Sequence, residues 1–114
     1  MKRPRRPLRL LALAVLASAV QAQELSRPSS EDATRAILAM MDIPEVGQAD
    51  VRVGTCVEPL LSEHEGQIAC TVLVNIGAGS SETQADFYRE NGEWVAQPSE
   101  SQSKLPFPDP ALNE

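Results

Sequence analysis

The chain has one histidine, and that scarcity removes most catalytic arrangements at once. A serine or cysteine nucleophile needs a base held beside it, and spacing places no serine with His64. His64 sits in Glu63-His64-Glu65, inside an acidic loop between two expected strands. Two cysteines and one histidine fall a ligand short of a structural zinc site. The cysteines, Cys56 and Cys70, lack the C-x-x-C spacing that lowers a thiol pKa in oxidoreductases. No glycine-rich loop follows a strand and opens a helix, so no phosphate cradle is indicated. Gly77-Ala78-Gly79-Ser80-Ser81 has that composition but precedes a strand. Carboxylates such as Glu63 and Glu65 lack the apolar setting that separates an acid from a base. The expectation is a non-enzymatic chain without catalytic residues, metal or cofactor.

A long hydrophobic run is also missing. Leu10 to Val20 is 11 residues of Leu, Ala, Val and Ser, against the roughly 20 that span a bilayer as a helix. Lys2, Arg3, Arg5, Arg6 and Arg9 precede it, and Val20-Gln21-Ala22 closes it with small residues. That order is a secretory signal. Residues 1–22 are therefore expected to be removed after Ala22, leaving a mature chain from Gln23 with no stable membrane insertion. No cysteine directly follows the run, so a lipid anchor has no acceptor. Arg5-Arg6 lies in proline-rich flanks without a wider twin-arginine motif, which favours general export. The expected location is periplasmic or secreted.

Export changes the charge. The signal takes five of the ten Lys/Arg and none of the sixteen Asp/Glu, so the mature chain carries five against sixteen, or −11. Nucleic acid and anionic membranes require basic patches, and this balance excludes both as partners. The acidic surface keeps an exported protein soluble and permits a basic partner.

Two cysteines in an exported chain predict a Cys56–Cys70 disulfide. In the chain-entropy model a closed loop of about 15 residues gains about 3 kcal/mol. A domain this small has a marginal core, so the staple matters.

Along the chain, residues 23–30 form a polar lead. Ser29 and Ser30 are good N-caps, and Glu31 and Asp32 favour the first helical turn. Ala33, Ala36, Ile37, Met40 and Met41 then recur at helical spacing, which predicts one amphipathic helix over 31–42, ended by Ile43-Pro44. Residues 51–57 and 67–76 read as strands, with Ile68, Cys70, Val72, Val74 and Ile76 on one face. A hairpin centred near Glu63 pairs Cys56 with Cys70. Strict alternation would separate Cys56 from Val51 and Val53, so a single-residue bulge at Gly54-Thr55 is expected. Residues 77–81 read as a turn, 83–89 as a third strand and 94–97 as a fourth. Asn91-Gly92 between the last two predicts a two-residue type I′ hairpin. Its register opposes Arg89 to Trp94, a candidate cation–π pair. From Pro98 to Glu114 the sequence is rich in proline and serine, and it is expected to be a flexible tail. Phe107, between two prolines, has the form of a short docking motif.

The order helix, strand, strand, strand, strand gives an α+β fold. One N-terminal helix packs on a four-stranded antiparallel meander in residues 31–97, with one disulfide and flexible tails. The helix at 31–42 and the ending Phe87-Tyr88-Arg89-Glu90-Asn91-Gly92-Glu93-Trp94-Val95 resemble small domains of the cystatin-like and NTF2-like type. The likeness departs from NTF2-like domains in having one helix where they have several. The Gln-x-Val-x-Gly signature of cystatins is absent, so protease inhibition does not carry over. Binding another envelope or secreted protein is the expected function, with Arg89, Trp94 and Phe107 as candidate contacts. The alternative is a small-ligand-binding NTF2-like domain.

Overall fold

The computed structural model describes residues 25–44, 48–77 and 79–113. The expected signal at 1–22 and its cleavage point lie outside the described residues.

Helix α1 runs Ser30–Met40. Ser29 caps it, its hydroxyl accepting from Asp32 N–H at 3.0 Å. The expected helix ran to residue 42, ahead of Ile43-Pro44, and the observed one closes two residues earlier, at Met40. Asp42 adopts a left-handed φ of 59°. Its N–H donates to Ala39 C=O at 3.1 Å, and Ile43 N–H donates to Leu38 C=O at 2.9 Å. This is a Schellman closure with aspartate in the position glycine usually takes, a conformation a short polar side chain tolerates.

Four strands follow in sequence order, each antiparallel to the next: β1 Ala49–Val57, β2 Ile68–Ile76, β3 Gly79–Glu90 and β4 Glu93–Pro98. β3 is longer than expected. Gly79, Ser80 and Ser81 pair with Ile76, Asn75 and Val74, so most of the expected turn at 77–81 belongs to the strand. The apolar run of β2 offers a ladder along its whole length, and β3 fills it. The β3–β4 hairpin forms at Asn91-Gly92, with φ of 55° and 82°. It pairs Arg89 with Trp94 and Phe87 with Ala96.

The core lies between α1 and one face of the sheet. Ala33, Ala36 and Ile37 of the helix pack with Val51, Ile68, Cys70, Val72, Val74, Ala85, Phe87 and Ala96. The helix also guards the edge strand. Val51 N–H donates to Thr34 Oγ1 at 2.9 Å, and Val51 C=O accepts from Ser30 Oγ at 2.5 Å. Arg27 donates to Gly54 C=O at 2.6 Å. These contacts occupy backbone groups that an open edge would offer to another chain.

The bulge is where the alternation requires it. Val53 pairs with Val72 and Cys56 with Cys70, so Gly54 and Thr55 together oppose Thr71. Cys56 thereby joins the core side, and the Cys56–Cys70 disulfide closes across the strand pair.

The C-terminal segment departs from expectation. It packs across the second face of the sheet as a strap, with Leu105, Asp109 and Leu112 buried. Short 3₁₀ turns form at Gln102–Lys104 and Pro110–Leu112. Proline prevents this segment from joining a ladder, but it does not prevent side chains from bonding to one. Asp109 is the main anchor. Its Oδ2 accepts from Thr71 Oγ1 at 2.5 Å and from Thr55 N–H at 2.9 Å. Its Oδ1 accepts from Ala111 N–H at 2.9 Å, which caps the last turn. Thr55 N–H is a donor in the bulge, and a buried donor must find a partner.

Candidate functional site

The chemistry-bearing residues divide between two places. At the β3–β4 hairpin, the Arg89 guanidinium lies 4.8 Å from the centre of the Trp94 ring, the cation–π contact that the register predicts. Trp94 is half-buried and packs against the core, while Arg89 is exposed. The pair is worth about 0.5–1 kcal/mol at such a site. It fixes the hairpin tip and leaves the cation facing water.

The second place joins the β1–β2 loop to the strap. Leu60 N–H donates to Ser101 Oγ at 2.9 Å, and Lys104 Nζ donates to Glu58 C=O at 2.6 Å. Both elements are therefore held as one surface. Leu60 and Leu61 of the loop and Phe107 of the strap are exposed, Phe107 at 68%. The neighbours of Phe107 explain its posture. Leu105 and Asp109 are buried on either side, Pro106 and Pro108 stiffen the links, and the backbone cannot collapse onto the sheet.

His64 is ordered by this loop. Its ring stacks on Tyr88 with centroids 3.7 Å apart and planes within 4°. Gln67, buried behind it, gathers the loop: its Oε1 accepts from Glu63 N–H at 2.7 Å and from His64 N–H at 3.0 Å. Its Nε2 donates to Asp86 Oδ2 at 2.6 Å. Asp86 is 3% exposed and lines a pocket of about 40 Å³ with Leu61, Glu63, Gln97, Glu100 and Ser101. Among the described residues nothing donates to Asp86 Oδ1. Sequence reasoning missed Asp86 and Gln67. A signal existed: aspartate is depleted in strands, yet Asp86 lies between Ala85 and Phe87 on the face opposite the core.

Among the described residues, Asp109 is the strongly perturbed group. Burial pushes its carboxyl pKa up, but the Thr71 hydroxyl and the Ala111 and Thr55 N–H groups outweigh it and hold the value at about 2. The cause is structural: every donor belongs to the bulge, to its partner strand or to the strap's own last turn.

Near the end of α1, Met41, Val74, Ile76 and Thr83 border an open hollow of about 390 Å³. Among the described residues there is no group of three His, Cys, Asp or Glu placed to hold a metal. None of the described helices is long and apolar enough to cross a membrane. No family model, curated protein or solved structure matches this chain. The cystatin-like and NTF2-like likeness thus rests on topology, and topology does not specify function.

Proposed function

We propose that this chain is an exported, non-enzymatic module that binds another protein of the periplasm or of the extracellular space. The carrying observation is Phe107, 68% exposed and fixed between the buried anchors Leu105 and Asp109. A rigid, exposed aromatic loses little entropy when it enters a partner's pocket, which is how binding hot spots gain their energy. Leu60 and Leu61 are exposed as well, on a loop bonded to the strap at Ser101. The basic and apolar order of residues 1–22 and the Cys56–Cys70 disulfide support export.

The test is envelope cross-linking with a tagged chain, followed by mass spectrometry of what is retained. One dominant partner, lost with Phe107→Ala, is expected. Recovery of the same partner by Phe107→Ala would remove the reading's main support. N-terminal sequencing of the exported chain is expected to begin at Gln23.

The second reading is a small-ligand binder, favoured by the hollow beside Met41, Val74 and Ile76. Its volume falls in the range of small-molecule sites. A thermal-shift screen with metabolites separates the two, since a ligand at 100 times its Kd adds about 2.7 kcal/mol.

A further inference from the structure

We propose that the Asp86 pocket receives a lysine side chain of the partner, an inference that rests on the protein-binding reading and deepens it. Asp86 is 3% exposed; its Oδ2 is taken by Gln67, and among the described residues its Oδ1 has no donor. A buried carboxylate oxygen left unpaired is costly, and Asp86 is one of the residues lining a pocket. Gln97 Nε2 donates to Glu63 Oε1 at 3.2 Å, and Ser101 Oγ accepts from Leu60 N–H.

Charge then selects the guest. Among the described residues Glu63, Asp86 and Glu100 line the pocket, and no lysine or arginine does. Such a lining favours a cation and repels an anion. Size narrows the choice further. The volume of about 40 Å³ holds a group the size of an ammonium, well below the roughly 300 Å³ at which metabolite sites begin. A lysine ammonium brings three donors to these acceptors. Its aliphatic stem lies along Leu61, which is exposed at the pocket's edge.

Amide NMR titration of the exported chain tests this with four probes: a capped Gly-Lys-Gly peptide, the same peptide with norleucine for lysine, methylammonium chloride and calcium chloride. The lysine peptide is expected to shift the Asp86 and Gln67 signals at concentrations about tenfold below methylammonium. The norleucine peptide leaves them unmoved, and Asp86→Asn abolishes the response. Glu100→Gln, at an exposed position, keeps the fold and weakens the lysine peptide several-fold, so the test survives a misfolded Asp86→Asn. A response to calcium alone overturns the proposal in favour of a metal site. An equal response to methylammonium overturns it in favour of a free-amine site, and silence from all four probes overturns it in favour of water alone. Capture of a partner that persists undiminished in Asp86→Asn overturns the lysine pocket while leaving protein binding standing.

Discussion

Replacing Asp109 with asparagine keeps the side chain's size and removes its charge. In the folded chain Asp109 is 1% exposed, and its pKa is lowered from 3.8 to about 2. At 1.36 kcal/mol per unit, that shift corresponds to about 2 kcal/mol of folding stability. The sign follows from the direction. Because the folded value is depressed, the stabilisation is fully present above pH 3.8 and is lost as the pH falls through about 2. Asparagine has a single carbonyl oxygen and cannot accept from Thr71, Thr55 and Ala111 together. Urea unfolding followed by Trp94 fluorescence, from pH 6 to pH 2, measures the difference between the two chains. The other carboxylates titrate in both and largely cancel. The variant is expected to be less stable at pH 6 by about 2 kcal/mol, with the gap closing as pH 2 is approached. A gap that stays constant down to pH 2, or no gap at pH 6, would refute the reasoning that Asp109 is a charged anchor of the strap.

The double change Cys56→Ser, Cys70→Ser releases a loop with a sequence separation of 14 and is expected to cost about 3 kcal/mol. Thermal melting with and without reductant checks it, and coincident melts would count against the staple. Gly54→Ala is expected to destabilise by about 1–3 kcal/mol. A Cβ there would lie 2.5 Å from Thr71 Oγ1, 2.7 Å from Asp109 Oδ2 and 2.8 Å from Leu112 Cγ. Unchanged urea unfolding of that variant would mean that the strap yields freely at this point. Phe107→Ala, at an exposed position, is expected to change stability by less than about 0.5 kcal/mol while lowering partner capture. A large loss of stability would show that Phe107 serves the fold instead.

The features legible in the sequence are those whose cause is local. Ser29 announces the start of α1 through the first turn it caps. Asn91-Gly92 dictates its own turn and with it the Arg89–Trp94 register. The bulge follows from a conflict that a short stretch contains, since Cys56 cannot share a face with Val51 and Val53 unless one residue is added. The strap and the Asp86 pocket were not legible, because their partners lie far off in the chain. Asp109 bonds to Thr71 and Thr55, 38 and 54 residues away, and Gln67 reaches Asp86 across 19. Composition correctly excludes a ladder for residues 99–113, though Pro98 still pairs with Ala85 as the last residue of β4, and it says nothing about a sheet face that supplies donors. One local clue was there: Asp109 followed by Pro110 is an N-cap with proline in the first turn, which marks an ordered turn even in a proline-rich segment.

The disulfide, the bulge and the strap form one causal sequence. For Cys56 to meet Cys70 on the core side, β1 must take an extra residue, and Gly54-Thr55 is where it is taken. The extra residue presents the Thr55 N–H to the second face, beside the Thr71 hydroxyl. Two donors so close on an otherwise covered surface call for a charged acceptor, and Asp109 supplies it from the C-terminal segment. Gly54 keeps the space open, since a side chain there would strike both Asp109 and Leu112. Asp109 is held and Leu105 is buried, and between them Phe107 is 68% exposed. The residue with the best claim to a binding role thus owes its posture to a register adjustment that the disulfide demands. It follows that the fold's stapling and its proposed recognition surface are not separable properties of this chain: weakening the bulge should loosen the aromatic contact before it unfolds the core, because the strap's anchors lie on the outer face, whereas Phe87, Ile37 and Val72 lie on the other.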